Sequence, residues 1–265
     1  MKLSKNRSLK LLYTVIVSSY FFFGCNSDDD NEFEDNNGSV TTTDYDISTI
    51  LSKFDDVSAL SYSQNQDETT VTFTTTNLPN HTSPYWPNGH GLHEDYNGTN
   101  SNFRLNPNRI STHDITITIP LNPKEATNKQ ATPLGPIGIA INGIVFYNQY
   151  AGPNNQPLTN EVNSFDQWFG HPDPSSRYHY HVEPTYLTKE YGDDAFLGLL
   201  ADGFPVYGSI ENGITITNND LDEYHGHVGV TADFPDGIYH YHVTPTEDPY
   251  INGNGYFGTP GNITR

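Results

Sequence analysis

Two stretches of this chain alternate tyrosine with histidine, Tyr178-His179-Tyr180-His181 and Tyr239-His240-Tyr241-His242. Successive side chains of a β-strand point to opposite faces, so each stretch offers two imidazoles on one face and two phenols on the other. A third pair, His225-Gly226-His227, ends thirteen residues before His240. Imidazole is the commonest protein ligand for transition metals. If the strands meet, His179, His181, His240 and His242 converge, with His225 and His227 close by, and the six rings build one metal site or two adjacent ones.

Nitrogen donors with carboxylate support suit copper(II), zinc(II) or iron(II). A soft-ligand copper(I) site is not expected, because Met1 is the only methionine and Cys25 the only cysteine. Asp173, Asp202, Asp222 and Glu223 are candidates for orienting the outer ring nitrogens. Asp202, Asp222 and Glu223 are also the candidate bases if a bound metal activates water or oxygen. His90-Gly91-Leu92-His93 is a weaker contributor, and His81 and His113 are expected to be structural.

The tetrapeptides sit inside longer copies. Residues 178–185 and 239–246 agree at seven of eight places. Upstream, Gly138-Ile139-Ala140-Ile141-Asn142-Gly143-Ile144-Val145-Phe146-Tyr147 parallels Gly198-Leu199-Leu200-Ala201-Asp202-Gly203-Phe204-Pro205-Val206-Tyr207. Asn-Gly and Asp-Gly between apolar runs predict type I′ hairpins. Asn142 precedes His179 by 37 residues and Asp202 precedes His240 by 38, so the spacing indicates an internal duplication. Its units span about residues 134–190 and 195–250. Packing about a pseudo-twofold axis would make the two His-x-His strands equivalent.

These strands need an all-β frame. Thr69 to Thr76 is rich in β-branched residues, and Ile115-Thr116-Ile117-Thr118-Ile119 alternates strictly. With 22 Gly and 18 Pro and no long 3.6-period apolar stripe, helices must be few. Short ones are expected at residues 47–54 and 160–169. The expected fold is a sandwich or barrel-like domain of short strands with long loops over residues 46–265.

The N-terminus has the layout of an export signal. Lys2, Lys5, Arg7 and Lys10 precede an apolar run from Leu11 to Phe23, which is too short to span a bilayer comfortably. Gly24-Cys25 follows and resembles a bacterial lipobox, although Phe22 and Phe23 depart from its usual leucine and small residue. Residues 1–24 are therefore read as a lipoprotein signal peptide, with Cys25 lipidated as the only contact with the bilayer. Residues 25–45, polar and acidic, are read as a disordered tether. The acidic run after Cys25 is similar to the surface-export signal of lipoproteins in the Bacteroidota. The expected location is the outer membrane, exposed on the cell surface. Removing residues 1–24 takes away four of 12 basic and none of 32 acidic residues, moving the net charge from −20 to −24. Nucleic acid and anionic lipid surfaces are therefore poor partners and cations good ones. The extracellular ligand or substrate is unspecified.

The Tyr-His pairs, with Ala201-Asp202-Gly203-Phe204-Pro205-Val206-Tyr207-Gly208, Phe234-Pro235-Asp236-Gly237-Ile238 and Pro133-Leu134-Gly135-Pro136 around them, resemble the YHYH domain family. The resemblance covers roughly residues 70–260 and implies a secreted or surface protein of bacteria; it implies no particular activity. Two other functions are compatible with the residues. One is a metal-independent enzyme using histidine and carboxylate as acid and base. The other is a carbohydrate or surface-ligand binding module using the loop aromatics Tyr85, Trp86, Tyr96 and Trp168.

Overall fold

The computed structural model describes residues 45–244 and 248–265. The export signal, Cys25 and nearly all of the expected tether lie outside them. Strands β1 (Leu60–Gln64), β2 (Thr70–Thr75), β3 (Ile115–Pro120) and β4 (Glu125–Gln130) precede the duplicated region. The first repeat contributes β5 (Pro136–Ala140), β6 (Val145–Tyr147), β7 (Tyr150–Ala151), β8 (Gln156–Pro157), β9 (Gly170–Pro172) and β10 (Tyr178–Tyr180). Helix α1 (Thr185–Tyr191) leads to the second repeat, β11 (Phe196–Leu200), β12 (Pro205–Tyr207), β13 (Ile210–Glu211), β14 (Ile214–Thr215), β15 (Gly226–Gly229) and β16 (Ile238–His242). The chain closes with β17 (Tyr256–Gly258) and β18 (Asn262–Thr264).

The fold is mostly β. One sheet has the order β1-β2-β3-β18, and an eight-stranded sheet has the order β15-β16-β12-β11-β5-β6-β10-β9. Among the described residues neither closes into a barrel. The small sheet buries the alternating Ile115, Ile117 and Ile119, with Val71 and Phe73, in one apolar core shared with the large sheet. Phe54, from the 3-10 helix Ser48–Phe54, joins the two: its ring lies 4.8 Å from Phe73 and 5.8 Å from Phe196. The second expected helix is shorter than its span, a 3-10 turn at Glu161–Ser164. Helix α1, where Pro184 precedes a short run of helix-compatible residues, had no periodic signal long enough to announce it.

The strand order of the large sheet is palindromic with respect to the repeats. β5 and β11 pair antiparallel at its centre, with Ile139 opposite Leu199. Each repeat then adds its second hairpin strand, its Tyr-His strand and its edge strand outward. The duplication is thus a structural pseudo-twofold. The Asn142-Gly143 and Asp202-Gly203 turns join β5 to β6 and β11 to β12, but only the glycines are left-handed, at φ 83° and 89°. The turns are therefore three-residue loops with a glycine bulge, not type I′. This backbone leaves Asn142 and Asp202 with inward-facing side chains. A two-residue turn with both central residues left-handed occurs instead at Asn212-Gly213, φ 51° and 78°, between β13 and β14.

Candidate metal centres

The palindrome determines where the histidines go. β10 and β16 are second from opposite edges of the sheet, five strand spacings apart, or about 24 Å at the usual inter-strand distance. The four imidazoles therefore do not converge on one point. A pseudo-axis at the sheet centre sends the equivalent strands apart, and each Tyr-His strand builds a separate group with its own neighbours.

In the first group, His171 on β9 lies opposite His179 on β10 in the ladder, and His181 follows two residues on. The Nε2 atom of His179 is 3.1 Å from that of His171 and 3.0 Å from that of His181. Glu161, from the 3-10 turn, brings Oε1 to 3.3 Å from His171 Nε2. In the second group His227 on β15 lies opposite His240 on β16, with Nε2 atoms 3.1 Å apart, and His242 follows. Glu211 reaches within 3.4 Å of both His227 and His240. In each quartet one potential ligand atom per residue falls within 4.8 Å of all the others.

The outer ring nitrogens determine what these contacts are. His179 Nδ1 is 3.0 Å from the Arg177 carbonyl, and His240 Nδ1 is 3.0 Å from the equivalent Ile238 carbonyl. His181 Nδ1 meets the Asn148 carbonyl at 2.5 Å, and His242 Nδ1 the Gly208 carbonyl at 2.6 Å. A carbonyl oxygen only accepts, so each neutral ring carries its proton on Nδ1 and its lone pair on Nε2. The lone pairs of His179 and His181 then face each other at 3.0 Å, an arrangement that gains nothing unless a cation lies between them. Nitrogens bound to a tetrahedral metal at about 2.05 Å stand about 3.3 Å apart, close to the spacing here.

Burial keeps His179, His181, His240 and His242 neutral. It holds His179 well below the usual imidazole value, with the neighbouring His171 and His181 adding to the effect. Burial likewise pushes His181, His240 and His242 down to about 4. Burial alone would raise Glu161, but its hydrogen bond with His171 holds it below the usual value. His242 Nε2 and Glu211 Oε1 are buried without a hydrogen-bond partner. Orphaned buried polar atoms are rare and costly, and these two point into the second quartet.

The other expected site residues lie elsewhere. His225 is not in the quartet: it sits just before β15 with a left-handed φ of 75°, and its Nε2 meets Thr244 Oγ1 at 3.0 Å. Strand alternation cannot extend through such a turn, so His225-Gly226-His227 does not present both rings to one face. Asp202 and Asp222 lie on the phenol side. Asp202 is fully buried, accepts a hydrogen bond from Tyr241 at 2.6 Å and receives the Gly258 N–H, while Asp222 accepts from Tyr239 at 3.0 Å. Glu223 is exposed and accepts from Asn254. Asp173 accepts from Tyr147, whose ring stacks on His179 at 3.8 Å. Carbonyls, and Ser164 Oγ at 2.7 Å from His171 Nδ1, occupy the orienting role expected of these carboxylates.

The tyrosine face repeats as well. Tyr178 donates to Asp166 as Tyr239 does to Asp222. Asn142 donates to the Tyr180 oxygen, which also meets His81 Nε2, where Asp202 accepts from Tyr241. Of the loop aromatics, Tyr85 and Trp86 are buried in the core and offer no exposed platform. His90 stacks on Trp86 at 4.0 Å, and neither His90 nor His93 belongs to a quartet.

Sequence reasoning missed His171, Glu161 and Glu211 as quartet members. A signal for His171 exists: Asp166-Gln167-Trp168-Phe169-Gly170-His171 matches Asp222-Glu223-Tyr224-His225-Gly226-His227 at Asp, Gly and His. Unequal loops hide it, because His171 precedes His179 by eight residues but His227 precedes His240 by thirteen. The glutamates carry no repeat signal, since Glu161 comes from the 3-10 turn and Glu211 from β13.

Among known families, a model described as YHYH protein matches the chain over residues 116–217 and 208–254. A search of the curated proteins found no match, and neither did a search of the solved structures.

Proposed function

The chain belongs to the YHYH family, and from that premise we propose that it is an exported lipoprotein whose β domain binds two transition-metal ions, one per repeat. The supporting observation is the approach of Nε2 atoms to 3.0 and 3.1 Å within each group, while backbone carbonyls hold the Nδ1 atoms of His179, His181, His240 and His242 and so leave their Nε2 lone pairs facing inward. Three nitrogens and a carboxylate oxygen form a donor set for zinc(II), copper(II) or iron(II). The ligands of the first centre are Glu161, His171, His179 and His181, and those of the second Glu211, His227, His240 and His242. A metal so held supplies Lewis acidity or, for copper and iron, electron transfer. The protein's part is to hold neutral imidazoles on a two-strand ladder so that they need no rearrangement to bind.

Asp202 and Asp222 act in this reading as acceptors that fix the tyrosines on which the His-x-His strands are mounted, not as bases. Cys25 is the lipid anchor and the cell surface the location, supported by the basic n-region, the apolar run and Gly24-Cys25. Elemental analysis of the untagged protein tests the metal reading. Two equivalents are expected, falling to one in His179→Ala/His181→Ala or in His240→Ala/His242→Ala. No metal after reconstitution with copper, zinc and iron would refute it. Changing Cys25 to Ser is expected to release the protein from the membrane fraction.

A further inference from the structure

The two centres are built from equivalent histidines but differ in what surrounds them. The histidines of the first are closed off, although Glu161 is 27% exposed. His171, His179 and His181 are each no more than 3% exposed. Phe165 packs edge-on against His171 at 4.8 Å and lies over His181 at 6.0 Å, while Tyr147 stacks on His179. Glu161 completes the group from the 3-10 turn between β8 and β9, so filling this centre fastens that segment to the sheet.

The second centre is open. Its carboxylate, Glu211, comes from β13, where the first repeat has Ala151 on β7. No segment needs to fold over it. Glu211, His240 and His242 instead form part of the wall of a cavity of about 690 Å³. His227 remains 24% exposed, and the unpartnered His242 Nε2 and Glu211 Oε1 belong to this centre. The remaining wall is largely apolar and aromatic, with Ile141, Phe196, Tyr207, Ile210 and Val230. Its one lysine, Lys53, is paired with Asp233 at 2.8 Å. Asp194 adds a further carboxylate to the wall.

Resting on the two-metal reading above, we propose that the centres divide the work. The Glu161 centre is structural, and the Glu211 centre takes an exogenous ligand on its metal. Structural metal sites are closed, whereas reactive ones keep a position that solvent or substrate can reach. The cavity volume falls in the range of small-molecule sites. The apolar and aromatic back selects an organic molecule with a nitrogen or oxygen donor for the metal and an apolar or aromatic body against Phe196 and Val230.

The test loads the untagged full chain with cobalt(II), whose visible spectrum reports coordination, and titrates imidazole and then 4-phenylimidazole. Two cobalt ions should bind, and the probes should perturb one of them. The response should persist in His171→Ala/His181→Ala and vanish in His227→Ala/His242→Ala. Because the first of these variants is liable to misfold, Val230→Trp provides a second arm. Val230 is 57% exposed and is not itself a proposed ligand, so this variant should keep both cobalt ions yet bind 4-phenylimidazole at least tenfold more weakly. Two bound ions with a response from the Glu161 centre, from both centres, or from neither would overturn the division of work while leaving the metal reading intact. An unchanged 4-phenylimidazole affinity in Val230→Trp would overturn the cavity assignment. No cobalt uptake at either centre would overturn this proposal together with the reading beneath it.

Discussion

Ile139 and Leu199, equivalent residues of the two repeats, are partners of each other in the antiparallel ladder between β5 and β11. A pair of equivalent residues facing each other places the pseudo-twofold axis between them. All else in the large sheet follows outward from that contact, including the separation of the two Tyr-His strands.

The axis also fixes two glycines. A Cβ on Gly198 would overlap the Ile139 carbonyl oxygen, and one on Gly138 would overlap the Leu199 carbonyl oxygen. Neighbouring backbone at a sheet centre cannot shift cheaply. Gly198→Ala is expected to cost about 3 kcal/mol of stability, as overpacking in a dense core does. Gly91→Ala, which has open space around its Cβ, should change stability by less than about 0.5 kcal/mol. Denaturant midpoints of the two variants provide the comparison.

His225 occupies the place that Phe169 holds in the first repeat, and both have a left-handed backbone, at φ 75° and 62°. His225→Phe should therefore retain both metal equivalents, losing only the hydrogen bond to Thr244, worth about 1 kcal/mol. His227→Ala should lose one equivalent. Metal analysis of the two variants side by side separates a ligand from its near neighbour, and metal loss in His225→Phe would contradict the assignment.

Acid should destabilise the metal-free protein. Burial holds His81, His181, His225, His240 and His242 at about 4, below the unfolded value of 6.5. Between pH 6.5 and about 4 the unfolded chain therefore binds more protons, so stability is fully present above 6.5 and is lost as pH falls through that window. One such histidine is linked to about 3 kcal/mol. Asp166 and Asp202, pushed up to about 6 by burial, act in the opposite sense between 3.8 and 6, but they are outnumbered. The melting temperature of the apo protein should be lower at pH 5 than at pH 7. An equal or higher value at pH 5 would contradict the buried neutral histidines.

Removing a hydroxyl from the tyrosine face should affect stability and leave metal content unchanged. Tyr241→Phe deprives the buried Asp202 of its 2.6 Å hydrogen bond and the Phe257 N–H of its acceptor. The expected cost is about 2 kcal/mol, the range for a polar group stranded in the interior. Two metal equivalents should still bind, because the phenol and the imidazoles lie on opposite faces of β16. Loss of the second metal would mean that the faces are coupled.

The sequence by itself determined the β character, the duplication and the identity of most imidazoles, because these depend on local alternation and on repeated residues. It also determined which faces of the Tyr-His strands carry phenol and which imidazole. Turn chemistry was legible only in part: Asn142 and Asp202 mark hairpins correctly, but their side chains serve buried tyrosines, and that selects a different turn. Tertiary structure alone decided that there are two groups. Whether equivalent strands meet or part depends on which pair, β5 with β11 or β10 with β16, lies at the axis, and both choices satisfy the same alternation. It likewise decided the carboxylates, since Glu161 and Glu211 come from non-equivalent positions and reach their groups through chain paths that no periodicity records.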